Sequence, residues 1–172
     1  MRLLILVVSL FMLVACSAAQ TGGQGGSEDS SSLSSLVLYD LKGKPIDFKD
    51  MVGKKVLVIS FWATFCKPCK SEMPFLQKMY EAYGQDGFEV VAISLDTPDT
   101  ESMVSPFIQR NNYTFKVALD RQSEATQLLN SKSMLPFLVI FDKEGNLVKK
   151  KDGFTIGDQS GLEKLIKELV GK

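Results

Sequence analysis

Hydrophobic positions along the chain fall into blocks of different period, and each period predicts a different element. Behind Met1-Arg2, the segment from Leu3 to Val14 is apolar apart from Ser9. That is too short to span a bilayer comfortably but suits the hydrophobic region of an export signal. From Ser17 to Ser35 the chain is almost wholly Gly, Ser, Gln, Ala and Thr, with Glu28-Asp29 and Leu33 as exceptions. A segment so poor in apolar surface reads as a flexible tether. Leu36–Tyr39 and Pro45–Phe48 then flank Leu41-Lys42-Gly43-Lys44, a hairpin pattern with Gly43 in the turn.

A continuous apolar, β-branched run follows at Val56–Trp62 (VLVISFW), as expected of a central strand buried on both faces, and Phe88–Leu95 (FEVVAISL) reads as a second buried strand. Between them Met73, Leu76, Met79, Tyr80 and Tyr83 recur at helical spacing from Cys66 up to Gly84. Thr97-Pro98 predicts the start of a helix carrying Met103, Phe107 and Ile108 and ending near Asn111-Asn112. Phe115–Leu119 reads as a strand and Ser123–Leu129 as a short helix. Phe137–Phe141 and Leu147–Lys151 read as strands joined at Lys143-Glu144-Gly145-Asn146, and Gln159–Val170 as a closing amphipathic helix. Strands alternating with helices, then a hairpin and a last helix, predict an α/β sheet covered on both faces. No internal repeat is visible. The organisation expected is a signal peptide over 1–15, a tether over 16–35 and one domain over 36–172.

Composition narrows the chemistry. The 172 residues carry 20 basic and 20 acidic side chains, three cysteines and no histidine. Balanced charge gives no electrostatic reason to expect a nucleic-acid partner. Without histidine, Ser-His-Asp and Cys-His catalysis, His-bearing zinc sites and His-ligated haem are excluded. Proton transfer must use carboxylates, lysines, thiols or water.

Leu13-Val14-Ala15-Cys16 at the end of the apolar run resembles the lipobox of bacterial lipoproteins, in which the cysteine is lipid-modified and becomes the first mature residue. An ordinary cleaved signal, or an N-terminal membrane anchor, are the competing readings. If Cys16 carries lipid, the exported domain keeps Cys66 and Cys69, in a compartment that permits disulfides. The segment Phe61-Trp62-Ala63-Thr64-Phe65-Cys66-Lys67-Pro68-Cys69-Lys70 joins a buried strand to an amphipathic helix. Cys66 therefore sits at a helix N-terminus, where free amides and the helix dipole favour a thiolate, with Lys67 and Lys70 adding positive charge. Cys69 lies one turn further on and is more shielded, so Cys66 is the attacking sulfur and Cys69 the resolving one. A zinc site fails for want of further ligands, and a disulfide spanning two residues would be a poor structural staple.

FWATFCKPCKSEMP resembles the active-site region of thioredoxin-fold thiol–disulfide oxidoreductases, in particular the membrane-tethered, extracytoplasmic TlpA/ResA-like branch. The similarity covers nearly the whole domain. Pro74 stands where the family has its helix proline. Ser133-Met134-Leu135-Pro136-Phe137 stands at the cis-proline loop, Gly153 at the glycine after the last hairpin, and 88–120 at the branch's extra strand–helix unit. The resemblance implies a thioredoxin-like fold with a mixed central sheet, a cis bond before Pro136, and a Leu135 backbone placed beside the cysteines for a substrate strand. Trp62 is expected either to pack the core or to shape the site, and Lys67-Pro68 to set the reduction potential. One departure stands out: Ser60 occupies the place of the buried aspartate of thioredoxins. The branch instead carries an acid after the second strand. Thr97 matches that position and Asp96 adjoins it, so Asp96 is the candidate proton carrier, alone or with Glu72 or Lys70, water being the alternative.

The function expected is an exported, membrane-tethered thiol–disulfide oxidoreductase that reduces disulfides of substrate proteins. It would be recharged by a membrane reductase, with cytochrome c maturation as one client pathway. No metal or organic cofactor is expected, nor a nucleic-acid partner, and the chain is expected to act as a monomer. A disulfide oxidase or isomerase, a Cu(I)-binding module and a thiol peroxidase are the alternatives.

Overall fold

The computed structural model describes residues 25–171. The expected signal peptide and Cys16 lie outside the described residues. In chain order the elements are α1 (Gly25–Ser34), β1 (Val37–Asp40), β2 (Pro45–Asp47), β3 (Val56–Trp62), α2 (Lys67–Tyr83), β4 (Phe88–Ser94), α3 (Val104–Arg110), β5 (Lys116–Leu119), α4 (Glu124–Leu129), β6 (Phe137–Phe141), β7 (Leu147–Asp152) and α5 (Asp158–Val170).

The strands form a single seven-stranded mixed sheet in the order β2-β1-β5-β4-β3-β6-β7. Strands β3, β4 and β5 run parallel, while β6 pairs antiparallel with β3 and β7 with β6. Alternation along β3 divides the core in two. Val56, Val58 and Trp62 pack with Met73, Leu76 and Met79 of α2 and with Leu162, Ile166 and Leu169 of α5. Leu57, Ile59 and Phe61 point the other way, toward Leu33, Phe48, Ala125 and Leu129. Ser60 falls in the even-numbered row, on the α2 side, and is itself buried. With both faces covered, every residue of β3 and of β4 is buried, which explains why both strands are mostly apolar. Gly145 turns the β6–β7 hairpin at φ +86°, and a Cβ there would come 3.3 Å from the Gly53 amide nitrogen. Only glycine suits that turn.

Two elements differ from the sequence reading. A tether was expected through residue 35, but 25–34 is helical and Leu33 is fully buried. A single well-placed leucine, entering the pocket of Leu36, Leu38 and Phe48, anchors a segment that its composition would leave free. The helix expected from Thr97-Pro98 begins later. Thr97 instead accepts the amides of Thr100 and Glu101 in a turn, and after a 3-10 turn at Glu101–Met103 the α-helix starts at Val104. Pro106, in the first turn of α3, is the proline that marks the true start. Among the described residues no helix is long and apolar enough to cross a membrane.

Candidate active site

At the C-terminal end of β3 the chain leaves the sheet through Ala63, Thr64 and Phe65 and enters α2 at Cys66. Cys66 is the N-cap: its backbone is extended (φ −82°, ψ 103°), and its Sγ accepts the Cys69 amide at 3.2 Å. Pro68 fits the first helical turn because its missing N–H would find no helical partner there. Cys66 and Cys69 are joined as a disulfide with Cα atoms 5.3 Å apart. Cys66 keeps 8% of its surface exposed and Cys69 none. The bridge thus presents one sulfur, at a helix N-terminus where amide dipoles stabilise negative charge. Lys67 and Lys70 are exposed on the same turn.

Asp96 lies just beyond the end of β4 and spends its carboxylate on the loop before the cysteines. One oxygen accepts the Thr64 amide at 2.9 Å and the Ser94 hydroxyl at 2.8 Å, and the other accepts the Thr64 hydroxyl at 2.5 Å. These bonds clamp Thr64 in the loop that leads to the cysteines. The buried acid is Glu72. It is 1% exposed and accepts the Ser60 hydroxyl at 2.7 Å. Burial holds its carboxyl up at about 7; the Ser60 bond and the positive charge of Lys151 oppose that shift, while Asp158 adds to it. Lys151 and Asp158 pair with each other at 2.9 Å nearer the surface. Glu72 is three residues beyond Cys69 on the inner face of α2, so the two share one side of the helix. The sequence held a signal for it: an acid set within the apolar stripe of Cys69, Met73, Leu76 and Met79, across from a polar residue inside an otherwise apolar strand.

The remaining predicted residues gather around this turn. The Leu135–Pro136 bond is cis. Phe61 pairs with Phe137 across β3 and β6, which sets Pro136 beside Trp62 at the end of the strand that feeds Cys66. The Pro136 carbonyl accepts the Gly153 amide at 2.8 Å. Leu135 is half-buried and packs against both core clusters. Trp62 is fully buried, its ring centroid 5.3 Å from that of Phe107, and its Nε1 has no hydrogen-bond partner. It belongs to the packed wall behind the cysteines. Phe65 and Met134 are exposed, and Ile156 belongs to a cleft of about 270 Å³ formed with Lys67, Pro68, Ser71 and Phe154. A larger cleft of about 620 Å³ lies at the other end of the parallel strands, by Lys55, Glu89 and Lys116, away from the disulfide.

A disulfide closed over the first turn of a helix, fed by a central strand and flanked by a cis-proline loop, can exchange with other thiols from one side only. That combination of fold and site defines a thioredoxin-fold thiol–disulfide oxidoreductase. The chain belongs to the redoxin family, which its residues 27–166 match. It is 38% identical over 127 residues to the thiol-disulfide oxidoreductase ResA of Bacillus cereus, covering 73% of this chain and 68% of that protein. In structure it is similar to a Chlorobium tepidum protein described as a thiol:disulfide interchange protein DsbE. The TM-score is 0.71 at 28% identity, covering 79% of this chain and 93% of the other. A thioredoxin-like protein from Porphyromonas gingivalis gives a TM-score of 0.66 at 30% identity, covering 81% and 92%.

Proposed function

We propose that this oxidoreductase works as a reductase of protein disulfides outside the cytoplasm, held to a membrane by lipid on Cys16. In the reduced protein the Cys66 thiolate attacks a client disulfide, forming a Cys66–client mixed disulfide and releasing one client sulfur as thiolate. Cys69 gives its proton to Glu72 and attacks Cys66. The Cys66–Cys69 bond forms, the mixed bond breaks, and the second client thiol leaves. Two electrons pass from the dithiol to the client. A membrane reductase then restores the dithiol. Lys67 and the helix N-terminus favour the Cys66 thiolate, and the Leu135 backbone offers the client strand a partner. Phe65, Met134 and Ile156 provide an apolar rim. No cofactor takes part, and one copy of the chain suffices.

The observation that carries this reading is the asymmetric disulfide with a buried, near-neutral-pH carboxyl on the resolving side. A group titrating near 7 can take and return a proton under physiological conditions. The resemblance of FWATFCKPCKSEMP to the TlpA/ResA-like branch implies the reducing direction, with apocytochrome c as one client. The apolar run at Leu3–Val14 ending in Ala15-Cys16 supports export and lipidation.

The test is the equilibrium reduction potential of the Cys66–Cys69 pair, with turnover of a protein disulfide such as insulin. A value near the thioredoxin figure of about −270 mV, with turnover, is expected. A value near about −120 mV would make the protein an oxidant instead.

A further inference from the structure

The loop that carries the cis-proline is held by one buried side chain. Asn130 follows α4, is 2% exposed, and its own amide is bonded to the Thr126 carbonyl at 2.9 Å. Its side chain reaches across four residues and takes both backbone groups of Met134. Oδ1 accepts the Met134 amide at 2.9 Å, and Nδ2 donates to the Met134 carbonyl at 2.9 Å. The Asn130 carbonyl also accepts the Ser133 amide at 2.7 Å, with Ser133 in the left-handed region at φ 50°. One residue therefore closes the loop with three hydrogen bonds.

The consequence lies in what remains open. Met134 has its side chain 41% exposed on the rim, while its backbone is turned inward and satisfied. Pro136 has no amide, and its carbonyl is taken by Gly153. Between them, the amide and carbonyl of Leu135 form no hydrogen bond among the described residues. A strand lying along this edge finds a single free donor–acceptor pair.

We propose that Asn130 is a positioning residue of the client-docking edge, clamping Met134 so that Leu135 is the one backbone rung left open beside the disulfide. Asparagine suits the task because its amide supplies an acceptor and a donor on one short planar group. Aspartate can accept from the Met134 amide but cannot donate to its carbonyl, and alanine does neither. This inference rests on the reading of the protein as one that acts on protein disulfides through the Leu135 edge.

The test compares Asn130→Ala and Asn130→Asp with the wild type on two substrates, insulin and glutathione disulfide. Gln77→Ala serves as a control: Gln77, two turns beyond Cys69 on α2, accepts the Thr114 amide at 2.9 Å and donates to the Thr114 hydroxyl at 2.8 Å, tying down a loop away from the cis-proline edge. The expected result is a rise in KM for insulin in Asn130→Ala, with kcat little changed. The ratio of insulin to glutathione-disulfide efficiency should fall about tenfold, the scale of one to two net hydrogen bonds. Asn130→Asp should fall between, and Gln77→Ala should leave the ratio at the wild-type value while lowering stability. A ratio unchanged in Asn130→Ala, or lowered equally by Gln77→Ala, overturns the role of Asn130 alone. A wild type that exchanges with glutathione disulfide but never turns over insulin overturns the functional reading, and this role with it.

Discussion

Glu72 illustrates what burying a single carboxyl costs in stability. Its carboxyl holds a proton up to about pH 7 when folded, against 4.5 as the ordinary value. Below pH 4.5 both folded and unfolded chains are protonated there and the residue is neutral in effect. As pH rises from 4.5 to 7 the unfolded chain releases the proton first, so stability falls through that window and stays lowered above it. The full cost is about 3 kcal/mol. Glu72→Gln, which still accepts the Ser60 hydroxyl, should stabilise the oxidised protein by up to about 3 kcal/mol at pH 8 and hardly at all at pH 4.5. Denaturant unfolding at the two pH values measures it, and an equal effect at both would show an ordinary carboxyl. The cysteine pair was legible from spacing alone, since CxxC at a strand–helix junction has few other uses. The acid was not. Asp96 and Glu72 are both carboxylates a few residues from the right place in the chain. Only the fold shows that Thr64 and Ser94 occupy one while Ser60 and the core enclose the other.

Elements with a strong period were readable to the residue: β3 and β6 fall where their apolar runs end. Elements that depend on a partner were not. Helix α1 has almost no apolar face of its own and is secured by Leu33, which joins a cluster reaching to Phe141 in sequence. Replacing Leu33 with Ala should cost about 2–4 kcal/mol in global unfolding, as for other fully buried leucines. A loss below about 0.5 kcal/mol would return the segment to the status of a tether. Helix α3 was displaced along the chain for a related reason. Thr97-Pro98 and Pro106 carry similar start signals, and the turn closed by Thr97 decides between them.

For the whole molecule, the reading at issue is attachment. Leu33 is the first buried side chain among the described residues, 17 positions after the proposed lipid site at Cys16. Cys16→Ala should move the exported protein from the membrane fraction to the soluble one while leaving its exchange with small disulfides intact. Continued membrane association would point to an uncleaved anchor. The unequal exposure of Cys66 and Cys69 also gives every encounter a polarity. Under the proposed mechanism a partner is held by one end only, through Cys66, with the second sulfur behind it as the release. Removing that release, by Cys69→Ser, turns a transient handshake into a durable one. The chain then becomes a bait whose catch is attached at a known atom, and the proteins it normally lets go can be counted.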